Sequence, residues 1–188
     1  MTDVFYDQTT DGGGWTVVQR RTDGSQNFFC NWTEYKNGFG KLNQQEHWLE
    51  KERIHYLTAQ AFLKGSEARF DLLVKGESKN RWVKYSRFSV GDESTGFIMH
   101  VSGFTTGGVT DRFAYHNGMR FTTYDRDHDT YSEGSCAYWS YEAWWHNNCN
   151  YVNINGQYDR FNREKTYRMA FQWNPHRLKY SEMKIRRK

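Results

Sequence analysis

Short apolar or alternating runs, cut by glycine, asparagine and aspartate, fill the first half of the chain, and the second half loses that rhythm. Asp11-Gly12-Gly13-Gly14 reads as a turn, and residues 15–21 after it as a strand. Asp23-Gly24-Ser25 marks the next turn. Asn31 is placed to cap a short helix through Tyr35, which Asn37-Gly38 stops. Residues 39–48 show no period. Residues 50–61 carry Ile54, Leu57 and Ala61 on one helical face. Residues 68–75 and 81–85 read as strands of a hairpin joined through the polar run 76–80. Two more strands are predicted at 88–90 and 97–101, and two late ones at 169–173 and 179–186. The last of these returns to the main sheet. The pattern predicts an α+β domain: a mainly antiparallel central sheet with short helices, plus a loop-rich lobe. Residues 1–110 and 179–188 would be scaffold, and 111–178 the lobe, within one domain over 1–188. A long irregular segment in a compact domain is usually functional or held by an ion.

Composition sharpens this. A chain of 188 residues suits one domain with a sizeable core. Eight Trp, thirteen Tyr and thirteen Phe imply a core of large rings with polar tips, and any exposed rings suit stacking on sugar faces. With 26 basic and 22 acidic residues the surface is mixed, which excludes a nucleic-acid footprint. The one basic cluster, 184–188, reads as a last strand with a solvated tail. No apolar run approaches the ~18 residues a membrane helix needs, so no membrane insertion is expected. Three cysteines are too few for a disulfide scaffold. Asn31-Trp32-Thr33 is a glycosylation sequon, which points to an extracellular, secreted setting. No signal peptide precedes residue 1, so the chain is either cytosolic or an excised part of a secreted protein, and the sequon favours the second.

Asp125-x-Asp127-x-Asp129 is the chemical focus. Alternate side chains of an extended segment point the same way. Clustered carboxylates repel one another unless a cation sits between them, and hard oxygen ligands favour calcium. An EF-hand is excluded, because Thr130 stands where glycine is needed and Cys136 where glutamate is needed. The alternative is a solvated acidic turn partly neutralised by Arg126 and His128. Cys136 and Cys149 either close a loop, which would constrain the unfolded chain by roughly 3 kcal/mol, or leave a reactive thiolate with His146 as a nearby base. The seven histidines lack i, i+4 metal spacing to one another, and no nucleophile motif or spaced carboxylate pair appears. The chain is read as a binding protein, not an enzyme.

Several runs together resemble one family. They are DGGGWTVVQRRTDGS at 11–25, Trp32 to Gly40, Phe88 to Asp92, YHNGMRFTTYDRDHD at 115–129, Cys136-Ala137, Ala143-Trp144-Trp145, Asn148-Cys149, NINGQY at 153–158 and SEMKIR at 181–186. In this order, over nearly the whole chain, they resemble the fibrinogen C-terminal globular domain of ficolins, tachylectin-5-like lectins and invertebrate fibrinogen-related proteins.

The resemblance implies one Ca2+, held by side-chain oxygens of Asp127 and Asp129 and by the Tyr131 carbonyl. A further carbonyl comes from Glu133 or Gly134, because this loop is one residue longer than the common form. Asp125 would support the loop from behind. The resemblance also implies a Cys136–Cys149 disulfide, a cis Asn148–Cys149 bond, and a ligand pocket at Ser140, Tyr141, Cys149, Asn150, Tyr167 and Arg168. Three positions depart from the family. Asn150 replaces a histidine of acetyl-binding members, Ser140 replaces a tyrosine, and Arg168 a small residue. Fibrinogen itself has acids at two of these positions and binds a peptide amino terminus there. Ser140 and Arg168 reverse that charge, which favours a polar or anionic ligand unless Arg168 pairs with Asp159 or Glu164. The family has a cysteine where Tyr6 stands, paired with one in an N-terminal segment missing here. Cys30 is then a buried thiol or a link to another chain. The implied function is a secreted, calcium-supported pattern-recognition lectin domain, binding glycans or acetylated groups on microbial or parasite surfaces in innate immunity within an oligomeric parent. The alternative is a protein–protein module binding a peptide or glycoprotein without sugar preference.

Overall fold

The structure, a computed structural model, describes residues 4–42, 45–59, 65–158 and 170–188. Ten strands and three α-helices are described. In chain order they are β1 (Tyr6–Asp7), β2 (Trp15–Arg21), α1 (Trp32–Asn37), β3 (Phe39–Gly40), β4 (His47–Trp48), α2 (Lys51–Ala59), β5 (Ser66–Val74), β6 (Arg81–Val90), β7 (Met99–Gly107), α3 (Cys136–Ser140), β8 (Val152–Asn153), β9 (Gln172–Trp173) and β10 (His176–Arg187). The main sheet runs β3-β4-β2-β10-β5-β6-β7. All of its pairings are antiparallel. The last strand is therefore central: Ser181 faces Arg21 of β2, and Glu182 faces Asp71 of β5.

Local chemistry explains most elements. Asn31 caps α1 through a reciprocal box: its side chain accepts from the Glu34 N–H at 2.9 Å, and the Glu34 carboxylate accepts from the Asn31 N–H at 2.8 Å. The sequence splits β6 into two strands at Ser86-Arg87. The structure keeps it whole, because pairing to β7 continues through Arg87 opposite Ser102. Residues 39–48, expected to be irregular, contain β3 and β4, whose two-residue length leaves no readable period. Helix α2 ends at Ala59 among the described residues, and the predicted Ala61 contact lies outside them.

The core is aromatic. Phe113 meets Phe70 at 4.9 Å, Tyr85 and Trp144 at 5.7 Å, and Trp173 at 6.5 Å. Two of the polar tips are satisfied: Trp145 Nε1 donates to the Phe97 carbonyl at 2.8 Å, and Trp173 Nε1 to the Thr110 carbonyl at 3.0 Å, whereas Trp48 and Trp144 Nε1 have no partner among the described residues. Strand β2 grips the loop-rich lobe through buried side chains. Gln19 Nε2 donates to the Ile154 carbonyl at 2.8 Å, and Arg21 Nη1 to the Gly156 carbonyl at 2.8 Å. Cys30 is a buried free thiol among the described residues, which supports the first of its two readings. Burial, aided by Glu34, pushes its pKa up to about 12. Among the described residues, no helix is long and apolar enough to cross a membrane.

Lys51 opens α2 and is fully buried. Its Nζ lies 3.2 Å from the Trp32 ring centre and 4.4 Å from that of Phe121, with no hydrogen-bond partner among the described residues. Burial pulls its pKa down to about 6. Unfolded lysine titrates near 10.5, so across that window the unfolded chain holds more protons and stability rises with pH. Lys51→Met is expected to stabilise the fold by about 1–3 kcal/mol at pH 7 and to flatten this rise. Thermal melts between pH 6 and 9.5 check both effects. A lowered midpoint would show that the ring contacts outweigh the cost of burying the lysine head without a hydrogen-bond partner.

Candidate functional site

The acidic loop follows a tight turn in which Thr123 and Arg126 exchange backbone hydrogen bonds at 3.0 and 3.1 Å. The three aspartates then separate by role. Asp125 Oδ1 accepts from the Trp32 N–H at 3.0 Å and from the Thr123 hydroxyl at 2.7 Å, so it anchors the loop on the first turn of α1. Asp127 is exposed and accepts the Asp129 N–H at 3.1 Å. Half-buried Asp129 accepts the Tyr131 N–H at 2.8 Å on one oxygen and the Cys136 N–H at 2.7 Å on the other. Burial, with Asp127 as neighbour, raises the Asp129 pKa to about 6. Arg126 and His128 are engaged away from the two later carboxylates. Arg126 lies over the Trp32 ring at 4.3 Å and reaches Glu93 at 3.8 Å. His128 Nδ1 turns to the Phe121 carbonyl at 2.8 Å. Among the described residues, neither Asp127 nor Asp129 has a basic side chain within ion-pair distance.

These groups suit a hard cation. Among the described residues no cluster of three or more His, Cys, Asp or Glu converges. The two carboxylates would need backbone carbonyls to complete a shell, a composition calcium accepts and zinc does not. Glu133 Oε2 takes the Tyr131 hydroxyl at 3.3 Å. Gly134 admits no side chain, since a Cβ there would stand 2.8 Å from Trp139 Nε1.

The loop is wired to the wall beside it. Cys136, whose N–H Asp129 holds, is bonded to Cys149 with a Cα separation of 5.3 Å. With that bond made there is no free thiolate at either position. His146, the candidate base, is buried and its pKa lowered to about 3 by burial, with His116 adding to the effect. The Asn148–Cys149 peptide is cis. Asn147 ties both parts together: its Oδ1 accepts from Thr130 Oγ1 at 2.6 Å, and its Nδ2 donates to the Tyr115 carbonyl at 3.1 Å. Tyr115 returns a hydroxyl bond to the Asn148 carbonyl at 2.6 Å.

The expected pocket residues fall into different settings. Ser140 is fully buried, and its Oγ accepts from Asn150 Nδ2 at 2.8 Å. It therefore holds the Asn150 amide in place. Cys149 and Asn150 are half-buried, and Tyr141 is exposed. Glu142 and His146 lie buried behind Asn150, 3.7 Å apart. Burial raises Glu142 well above the usual carboxylate range. Tyr167 and Arg168, with Asp159 and Glu164, lie outside the described residues. Trp139, Tyr141, Trp144 and Trp145 read in the sequence as one aromatic run. The first two are exposed, and the last two are core. Sequence reasoning missed Asn147, Tyr115 and Trp32, whose partners lie 17 to 93 positions away.

The C-terminal globular domain of fibrinogen beta and gamma chains matches residues 1–188. The chain belongs to this family. Fibrinogen C domain-containing protein 1 of Xenopus tropicalis is 44% identical over 193 residues, covering 97% of this chain and 40% of the relative. The chain thus spans about two fifths of that protein's length. The fibrinogen-like globe domain of human ANGPTL2 superimposes with a TM-score of 0.89 at 33% identity, over 99% of this chain and 92% of that one. Lamprey fibrin D-dimer, complexed with the peptide Gly-His-Arg-Pro-amide, gives a TM-score of 0.82 at 31% identity, over 97% and 63%. The fibrinogen-like domain is a ligand-binding module, and its fold is the antiparallel sheet with few short helices described above.

Proposed function

We propose that this domain is a secreted, calcium-supported recognition module for glycans or acetylated groups on microbial or parasite surfaces, acting in innate immunity. One observation carries the reading: Asp127 and Asp129 have no basic partner among the described residues, yet Asp129 holds the amide of the disulfide-bonded Cys136. When bound, calcium would neutralise the two carboxylates and draw on the carbonyls of Tyr131 and of Glu133 or Gly134. The protein's own groups do the rest. Asp129 fixes Cys136, the disulfide and Asn147 fix the wall, and Ser140 holds Asn150 Nδ2 from behind, leaving the amide oxygen for a ligand. Tyr141 offers a ring face beside it, and Tyr167 and Arg168 would complete the pocket. Arg168 would favour polar or anionic groups over a peptide amino terminus. A shallow polar site of this kind binds in the micromolar-to-millimolar range, so useful avidity needs several copies in an oligomeric parent.

The lamprey fibrin complex supports a second reading, a module for a peptide or glycoprotein partner. An array of acetylated, anionic and neutral glycans, run beside acetyl-lysine and peptide panels with a tetravalent form of the domain, separates the two. Retention of acetylated or anionic glycans, lost on chelation and in Asp127→Ala, is expected. Binding confined to peptides, or untouched by chelation, would favour the second reading.

A further inference from the structure

We infer that Asn31 carries an N-linked glycan whose first sugar lies on the aromatic face made by Phe29 and Tyr124, beside the Tyr141 ring that the proposed ligand pocket uses. The sequon residues Asn31 and Thr33 sit at the start of α1, where Thr33 is exposed and Asn31 half-buried. The capping role of Asn31 uses only its Oδ1, which accepts from the Glu34 N–H at 2.9 Å. Its Nδ2, the atom a glycan bonds, is not needed for the cap. The same Nδ2 donates to the Tyr124 phenol, and once glycosylated it keeps one N–H for that bond. The cap and a glycan are therefore compatible on one side chain, and the sugar would emerge beside the Tyr124 ring.

That ring belongs to a surface strip. Phe29, two residues before Asn31, lies 4.8 Å from Tyr124 and 5.1 Å from Tyr141, with ring planes inclined by 40° and 38°. Tyr141 continues to Tyr138 at 6.4 Å with planes only 28° apart. Tyr124, Tyr138 and Tyr141 are 40%, 59% and 37% exposed. Adjoining exposed aromatic rings call for a cover. The cover is argued from position: a sequon asparagine stands at the edge of the strip. A pyranose tethered there brings an apolar face to the rings at high effective concentration, with hydroxyls left toward water and the tyrosine tips. Trp32, the middle residue of the sequon, is buried, so the sugar is attached before the domain closes around that indole.

The test uses the 188-residue chain secreted from mammalian cells that stop at high-mannose glycans. Digestion with peptide N-glycosidase F is expected to remove the mass of one glycan, and Thr33→Ala, which keeps the cap, should lack it. Trimming with endoglycosidase H to a single N-acetylglucosamine should leave a chain melting about 2–4 °C above Thr33→Ala, the shift that about 1 kcal/mol gives in a domain of this size. The same difference, measured between trimmed and sequon-free forms in a Phe29→Ala background, should vanish. Each difference is taken within one background, so the cost of Phe29→Ala itself cancels, and Tyr124→Ala, at an exposed ring, provides a second background. Absence of the glycan mass, an undiminished increment in both ring variants, or dimerisation of Thr33→Ala through this strip would overturn the proposal.

Discussion

Replacing Trp32 with alanine is expected to cost about 3–5 kcal/mol of folding stability and to loosen the acidic loop more than any other single core change. Trp32 is 4% exposed and touches both halves of the domain. Its backbone N–H holds Asp125, and its Nε1 donates to Glu93 Oε1 at 2.9 Å. Arg126 lies over its ring at 4.3 Å, His128 meets it at 5.5 Å, and Lys51 Nζ sits 3.2 Å from its centre. Two residues of the loop start, Arg126 and His128, thus rest on one indole from α1, and Asp125 on the backbone N–H of the same residue. Alanine leaves a cavity, strips Lys51 of its closest ring and releases Arg126 to approach the carboxylates. Trp32→Phe keeps most of the volume and loses the Glu93 bond, so about 1–2 kcal/mol is expected for it. Urea unfolding of both variants measures the difference. A loss below about 1 kcal/mol for alanine would mean that the loop is held elsewhere.

Asp129→Asn is expected to have effects of opposite sign with and without calcium. In chelator, Asp129 is raised to about 6 chiefly by burial, with Asp127 beside it. A carboxyl raised in the fold favours folding below its unfolded value of 3.8, and that contribution is lost as pH rises through about 6. Removing the charge should therefore leave the chelated domain unharmed or slightly more stable at pH 7, and should flatten its decline between pH 4 and 6. With calcium at a hundredfold excess over its dissociation constant, the native chain should gain about 2.7 kcal/mol, or about 5–11 °C in melting midpoint. Asp129→Asn should gain none of it. Paired melts in calcium and chelator at pH 7 check this. A variant that melts lower than the native chain in chelator would show that the Asp129 bonds to Tyr131 and Cys136 outweigh the charge.

The scaffold was legible where local chemistry repeats. A glycine-rich turn before Trp15, a capping box at Asn31 and a polar hairpin at 76–80 each act within a few residues. The five-residue α3 escaped because it is too short for a 3.6-residue period to recur. It ends at Tyr141, whose backbone is left-handed with φ 52°. The chain then turns inward, so Trp144 and Trp145 become core although they follow an exposed run. Within the site, the alternate aspartates were visible because strand-like spacing puts like charges together. Their different partners were not: Asp125 is claimed by a helix 93 positions earlier, and Arg126 by the ring of Trp32. The direction a charged side chain takes depends on which aromatic surface the tertiary fold sets beside it. Asn147 carries no motif at all, and its role exists only because Thr130 and Tyr115 are brought to it.

Isothermal titration of calcium into the chelator-treated domain at pH 7 bears most directly on the proposed ion site. One ion per chain is expected, with binding lost in Asp127→Ala and Asp129→Asn and retained in Asp7→Asn, whose carboxylate is held by Lys184 on the far scaffold. No saturable heat, or binding of equal strength in Asp127→Ala, would contradict it.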